Sequence, residues 1–170
     1  MIYSEEYGNL FQVDRDYCLC HCISADYALG AGIAVQFNRA FNLRTLLCQK
    51  YPQYRYESDS TNKRFFDKNG LPNLNYGRKP VNPPFHPRCL EVGRVFNLVT
   101  KEQYWQKPTY HTLQIALMDM KRQLLNRGVR KIAMPTIGSG LDGLNWQKVS
   151  KMIQEIFIDT DIEILVIIRK

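Results

Sequence analysis

The sequence has no apolar run approaching the ~18–20 residues that cross a bilayer. Its opening residues, Met1-Ile2-Tyr3-Ser4-Glu5-Glu6, lack the basic stretch leading into an apolar one that marks a secretory signal. A membrane or secreted protein is therefore not expected, and the chain reads as intracellular, cytoplasmic or, in a eukaryote, nuclear. Five cysteines (Cys18, Cys20, Cys22, Cys48, Cys89), an odd number without secretory context, argue against a disulfide framework and read as reduced thiols. Acidic residues are the scarcer charge: 16 Asp plus Glu stand against 23 Lys plus Arg, a net +7. That balance favours an anionic partner such as a nucleotide, a nucleic acid or a phosphorylated metabolite, although the same excess also serves plain solubility. With 45% hydrophobic and 23% charged residues the chain is not intrinsically disordered, and 170 residues make about one domain. A core of that size needs no metal or disulfide staple.

What is present is an alternation of strands and helices. Cys18 to Ile23 is apolar and free of breakers, hence a buried strand with the three cysteines on one face and Leu19, His21 and Ile23 on the other. A Cys-x-Cys-His-Cys metal site competes with this reading. Alternate side chains on a strand lie roughly 6–7 Å apart, too far for two adjacent ligands at ~2.3 Å from one zinc, so core cysteines and no metal are expected. A helix is expected from Ile33 on toward Lys50, a strand over Arg94–Val99, and a helix from the Thr109 cap through Asn126 with Leu113, Ala116, Leu117, Met120 and Leu124 as its stripe. Gly128 closes that helix. Lys131–Met134 is a short strand, Asn145 caps a helix through about Phe157 with Trp146, Val149, Ile153, Ile156 and Phe157 buried, and Ile162–Ile168 is a final buried strand. Unbroken apolar strands alternating with helices indicate a largely parallel sheet covered on both faces. Residues 51–89 differ. They carry six of the eight prolines and more basic than acidic residues, and read as an insertion into a single domain spanning 1–170. Direct nucleic-acid contact through this basic stretch is one reading, a solvated loop the other.

Two glycine-bearing loops follow strands and precede helices: Leu29-Gly30-Ala31-Gly32, and Ile137-Gly138-Ser139-Gly140-Leu141-Asp142-Gly143. Glycines let the backbone approach a ligand and turn several N–H groups toward phosphate oxygens. The second loop is read as neither Gly-x-Gly-x-x-Gly nor, since no Gly-Lys-Ser/Thr follows, a P-loop. Side by side at the carboxyl edge of a parallel sheet, the two would clamp a diphosphate.

His21-Cys22-Ile23-Ser24-Ala25-Asp26-Tyr27-Ala28-Leu29-Gly30-Ala31-Gly32-Ile33-Ala34 resembles the first ligand loop of the macrodomains, most closely the branch typified by terminal ADP-ribose protein glycohydrolase. Leu98-Val99-Thr100-Lys101, Lys107-Pro108-Thr109-Tyr110 and the second glycine loop with Asn145-Trp146 match the same branch in the same order, over nearly the whole chain outside 51–89. The resemblance implies a three-layer α/β/α fold with a mixed, largely parallel sheet and ADP-ribose bound in a cleft. It implies a lysine nucleophile at Lys101, attacking the anomeric carbon of the distal ribose, and at Asp142 an aspartate that helps resolve the product. Leu10 matches a backbone contact beside the adenine. Asn9 stands where many macrodomains carry an Asp that accepts from the adenine amine. Ser24 matches a polar position of the first loop, Gly30, Ala31, Gly32 and Ile33 the segment facing the phosphates and distal ribose, and Thr136, Ile137, Gly138, Ser139, Gly140 and Leu141 the phosphate cradle. Arg169 falls near a ligand-side position.

An amine attacks only when neutral, so Lys101 needs shielding, which Tyr104 and Trp105 are expected to give. Asp142, just before a helix cap, also complements the helix dipole. The expected activity is hydrolysis of ADP-ribose from modified carboxylate side chains or nucleobases, without a cofactor and by a monomer. Competing readings are a non-catalytic ADP-ribose reader, for which Lys101 and Asp142 are superfluous, and a phosphatase or deacylase of ADP-ribose derivatives such as ADP-ribose 1″-phosphate. A dinucleotide oxidoreductase is the least expected, for want of a Gly-x-Gly-x-x-Gly with a following ribose-binding acid.

Overall fold

Strands apolar on both faces must be covered on both faces. The computed structural model, which describes residues 1–56, 71 and 87–169, shows how. In chain order the elements are β1 (Ile2–Tyr7), β2 (Cys18–Ser24), α1 (Ile33–Phe41), α2 (Leu43–Lys50), β3 (Cys89–Val92), β4 (Val95–Lys101), α3 (Tyr110–Arg127), β5 (Lys131–Met134), α4 (Trp146–Phe157) and β6 (Glu163–Ile168). The strands form one sheet in the order β1-β6-β5-β2-β4-β3. Every neighbouring pair is parallel except β3–β4.

Period-2 alternation sorts the side chains into two cores. Cys20, Phe96, Leu98, Ile132, Met134, Ile164 and Val166 face α3 and α4, whose Leu113, Leu117, Met120, Val149, Ile153 and Phe157 close that layer. Leu19, Ile23, Val95, Val99, Ala133, Leu165 and Ile167 face α1 and α2, with Phe37, Leu43 and Leu47. The three layers are those expected, and the helix from Thr109 buries the five residues read as its stripe. In α4 only Val149, Ile153 and Phe157 are fully buried, while Trp146 reaches out to Glu5 with an Nε1 bond of 2.8 Å.

Three differences have local causes. The helix expected over 33–50 is two helices, because Asn42 adopts φ 53, the left-handed state asparagine tolerates best among non-glycine residues. β1 escaped the sequence reading because it is an edge strand, exposed along most of its length and paired only with β6. β3 follows a proline-rich stretch that masks it. Its start is fixed by Asp119 Oδ2, which accepts from the Arg88 and Cys89 amides at 2.8 and 2.9 Å. Of the expected insertion only the two ends and Leu71 are among the described residues, including a 3-10 turn at Pro52–Tyr54. Its basic residues Lys63, Arg64, Lys68, Arg78 and Lys79 lie outside them.

Candidate functional site

Because β1, β6, β5, β2 and β4 run parallel, their carboxyl ends share one edge, and the loops leaving them meet over it. There they enclose a cleft of about 1210 Å³, large enough for a dinucleotide-sized ligand. Asn9 and Leu10 come from the end of β1, Ser24 and Gly30–Ile33 from β2, Lys101 from β4, Thr136–Asp142 from β5 and Arg169 from β6; every one of these lines the cleft.

The first loop is built around Asp26. Its Oδ1 accepts from Ser24 Oγ at 2.5 Å and the Ala28 amide at 3.2 Å, and its Oδ2 from the Tyr104 amide at 2.9 Å. Sequence reading overlooked this residue, since the partner amide lies far along the chain. The loop holds two non-glycine residues in the left-handed region, Tyr27 at φ 56 and Leu29 at φ 45. Each costs about 1 kcal/mol, which persists because both side chains are buried and Tyr27 donates its hydroxyl to the Tyr51 carbonyl at 2.9 Å. The loop delivers the chain to Gly32, which starts α1 without any side-chain cap. The first amides of α1 therefore open toward the cleft, a geometry suited to phosphate oxygens.

The second loop faces the first. A Cβ on Gly138, at φ +74, would lie 3.1 Å from both Leu113 Cδ2 and Leu144 Cδ1, so any other residue there is strained and must push those side chains aside. A Cβ on Gly32 would sit 3.4 Å from Leu141 Cδ1, which shows how closely the two loops approach. Gly138, Gly140 and Gly143 do have the spacing Gly-x-Gly-x-x-Gly. A 3-10 turn over Gly140–Asp142 interrupts the run into α4, and the next strand, β6, leads into Arg169 rather than an acid. The dinucleotide pattern of oxidoreductases is thus present in spacing and absent in setting.

Lys101 reaches across this gap. Its Nζ lies 3.1 Å from Asp142 Oδ1, with the two side chains 17% and 19% exposed. A bulge sets it there: β2 pairs Ile23 with Val99 but Ser24 with Lys101, so Thr100 is an extra residue in β4 and Lys101 leaves strict alternation. Nothing in the sequence signals this bulge. Cys22 also lines the cleft, but burial, then the nearby Asp142 carboxylate, push its thiol up to about 12, leaving a neutral sulfur beside the lysine rather than a competing nucleophile. Tyr104 and Trp105 line the cleft as well, yet at 67% and 65% exposure they stand in solvent instead of walling in the amine as expected. Lys107 ties the same segment to the second loop by donating to the Leu141 carbonyl.

At the other end, Asn9 caps a short 3-10 turn, its Oδ1 accepting from the Phe11 amide at 2.9 Å; an amide oxygen has a second lone pair to offer. Arg169 is exposed at the rim. Among the described residues no group of three His, Cys, Asp or Glu is arranged to hold a metal.

A three-layer fold with a dinucleotide-sized cleft between two glycine loops, and a lysine paired with an aspartate inside it, suits a nucleotide derivative. No protein-family model matches the chain. It is 35% identical over 160 residues to a human ADP-ribose glycohydrolase, OARD1, covering 94% of this chain and 86% of that protein. It is 28% identical over 149 residues to a DNA ADP-ribosyl glycohydrolase of Thermus aquaticus, covering 87% of this chain and 36% of that protein. Among solved structures, the macrodomain of Thermus aquaticus DarG matches with a TM-score of 0.65 at 23% identity, over 98% of this chain and 97% of that one. The chain belongs to the macrodomain family, in the branch of terminal ADP-ribose glycohydrolases.

Proposed function

We propose that the chain is an ADP-ribosyl glycohydrolase that frees ADP-ribose from modified carboxylate side chains or nucleobases, with Lys101 as nucleophile. The adenine lies toward Asn9 and Leu10, the diphosphate between the start of α1 and the Thr136–Leu141 loop, and the distal ribose against Lys101. The observation that carries this is the 3.1 Å pairing of Lys101 Nζ with Asp142 Oδ1, both less than a fifth exposed, inside the same cleft as the two amide-rich loops. The neutral amine of Lys101 attacks C1″, and the proton it sheds goes to the departing carrier. The C1″–Nζ bond forms as the bond to the carrier breaks, and the carrier leaves with the electron pair. Water then adds at C1″ with Asp142 assisting, the amine leaves, and ADP-ribose and Lys101 are regenerated. A reader of ADP-ribose needs neither side chain. No described helix is long and apolar enough to cross a membrane.

The test is incubation with ADP-ribose linked to Glu, Ser and thymidine. Lys101→Ala should abolish cleavage while free ADP-ribose affinity stays within a few fold, because the loops supply most of the binding. Asp142→Ala should accumulate a covalent ADP-ribose adduct visible by intact mass, and the double variant none, since the two act as a unit. Turnover by Lys101→Ala at the wild-type rate would transfer the attack to a bound water and sink the lysine mechanism.

A further inference from the structure

Tyr104 and Trp105 are 67% and 65% exposed on the wall of the cleft that holds Lys101. Large rings left in solvent are informative when they border a ligand site. The backbone that carries them is firmly tied. The Tyr104 amide donates to Asp26 Oδ2 at 2.9 Å, and the Asp26 amide to the Glu102 carbonyl at 3.1 Å. Gln106 Oε1 accepts from the Glu102 and Gln103 amides at 3.2 and 2.9 Å, folding the turn onto itself. Just beyond, Lys107 fastens the segment to the second loop. The rings therefore stand on a fixed turn between the two ligand loops. Leu141, 66% exposed, adds apolar surface from the second loop. Lys101 opens this same turn, so on the glycohydrolase reading, which this inference rests on, the group bonded to C1″ departs along it.

We propose that Tyr104 and Trp105 form a stacking platform that receives the leaving group and favours a nucleobase of single-stranded nucleic acid over an amino-acid side chain. A base offers a flat π face that stacks on such rings whatever its identity, whereas a carboxylate or hydroxyl side chain offers them little area. The net charge of +7 works in the same direction, because it draws in the phosphates of the strand. A base within a duplex has both faces already stacked on its neighbours, so the substrate is unpaired or flipped out.

The test compares the full chain with two double variants, Tyr104→Ala/Trp105→Ala and Tyr104→Phe/Trp105→Phe. The probes are a single-stranded oligonucleotide carrying ADP-ribose on one thymine and a peptide carrying it on one glutamate. The ratio of kcat/KM, oligonucleotide over peptide, should fall about tenfold to a hundredfold in the alanine variant and stay within about threefold of wild type in the phenylalanine variant. A ratio that does not move, however large the absolute losses, overturns the platform, and a ratio that rises makes the turn a peptide site instead. A second measurement separates this idea from the reaction it rests on. In a Lys101→Ala background, fluorescence anisotropy with the same oligonucleotide should show binding weakened about tenfold or more by the alanine pair, with the salt dependence unchanged, because stacking releases no counterions. If the wild type cleaves neither probe, the glycohydrolase reading fails and the anisotropy comparison alone decides the platform.

Discussion

His21 is sealed between β2 and α1, fully buried and stacked on Phe37 with ring centroids 3.9 Å apart. Asn97 donates through Nδ2 to the Leu90 carbonyl at 2.9 Å, so its Oδ1 accepts from His21 Nε2 at 2.6 Å. That assignment makes Nδ1 the bare nitrogen of the ring, buried and without a hydrogen-bond partner among the described residues. Protonation there would create a charge with nothing to receive its hydrogen, and burial accordingly pushes the group down from 6.5 to about 4, against a smaller upward pull from Asn97. The unfolded chain takes up this proton below about pH 6.5 and the folded chain does not, so stability is fully present at neutral pH and drains away as pH falls through that window. The loss is about 2 kcal/mol by pH 5 and about 3 kcal/mol once pH passes below both values, a large share of the stability of a domain this size. Urea titrations at pH 7 and pH 5 of the wild type and of His21→Gln check it. Glutamine keeps a donor toward Asn97 and has no proton to gain, so it should be less stable than wild type at pH 7 and recover about 2 kcal/mol of that difference at pH 5. A wild-type-minus-variant difference equal at the two pH values would show that His21 does not titrate in the fold, and the reasoning from its orphaned nitrogen would be wrong.

Two further outcomes follow from the loops. Gly138→Ala should cost about 1–2 kcal/mol, from positive φ and the 3.1 Å approach to Leu113 and Leu144, and should lower both the melting temperature and its rise with added ADP-ribose. Asp26→Ala removes the acceptor for Ser24, Ala28 and Tyr104 together; calorimetry should find ADP-ribose bound about tenfold more weakly, with partial recovery in Asp26→Asn, which keeps one acceptor oxygen.

The layered architecture was legible because β2, β4 and β6 are apolar on both faces and α3 and α4 carry clean 3–4 residue stripes. β1 was not, since a solvent-facing edge strand has no apolar pattern to read. Glycine placement announced both glycine loops, and every residue to which the family resemblance gives a ligand or catalytic role lies on the wall of one cleft. The bulge at Thr100 stayed hidden because it uses no glycine and depends on what β2 pairs with. Asp26 stayed hidden because its work is a tertiary hydrogen bond. Tyr104 and Trp105 were read as shields on sequence proximity alone, and only their exposure shows that they stand in solvent at the wall of the cleft.

Strand order also sets when the site comes into being. β1 has a single partner, β6, the last strand in chain order, and β6 lies between β1 and β5. Until β6 is synthesised, β1 has no neighbour, and the wall that Asn9, Leu10 and Arg169 complete does not exist. Pairing of such distant segments comes late and slowly, because its loop entropy must be met before any contact repays it. A nascent chain on the ribosome thus displays both glycine loops before β1 and β6 wall the cleft, and retention on an ADP-ribose resin marks the chains whose sheet has closed.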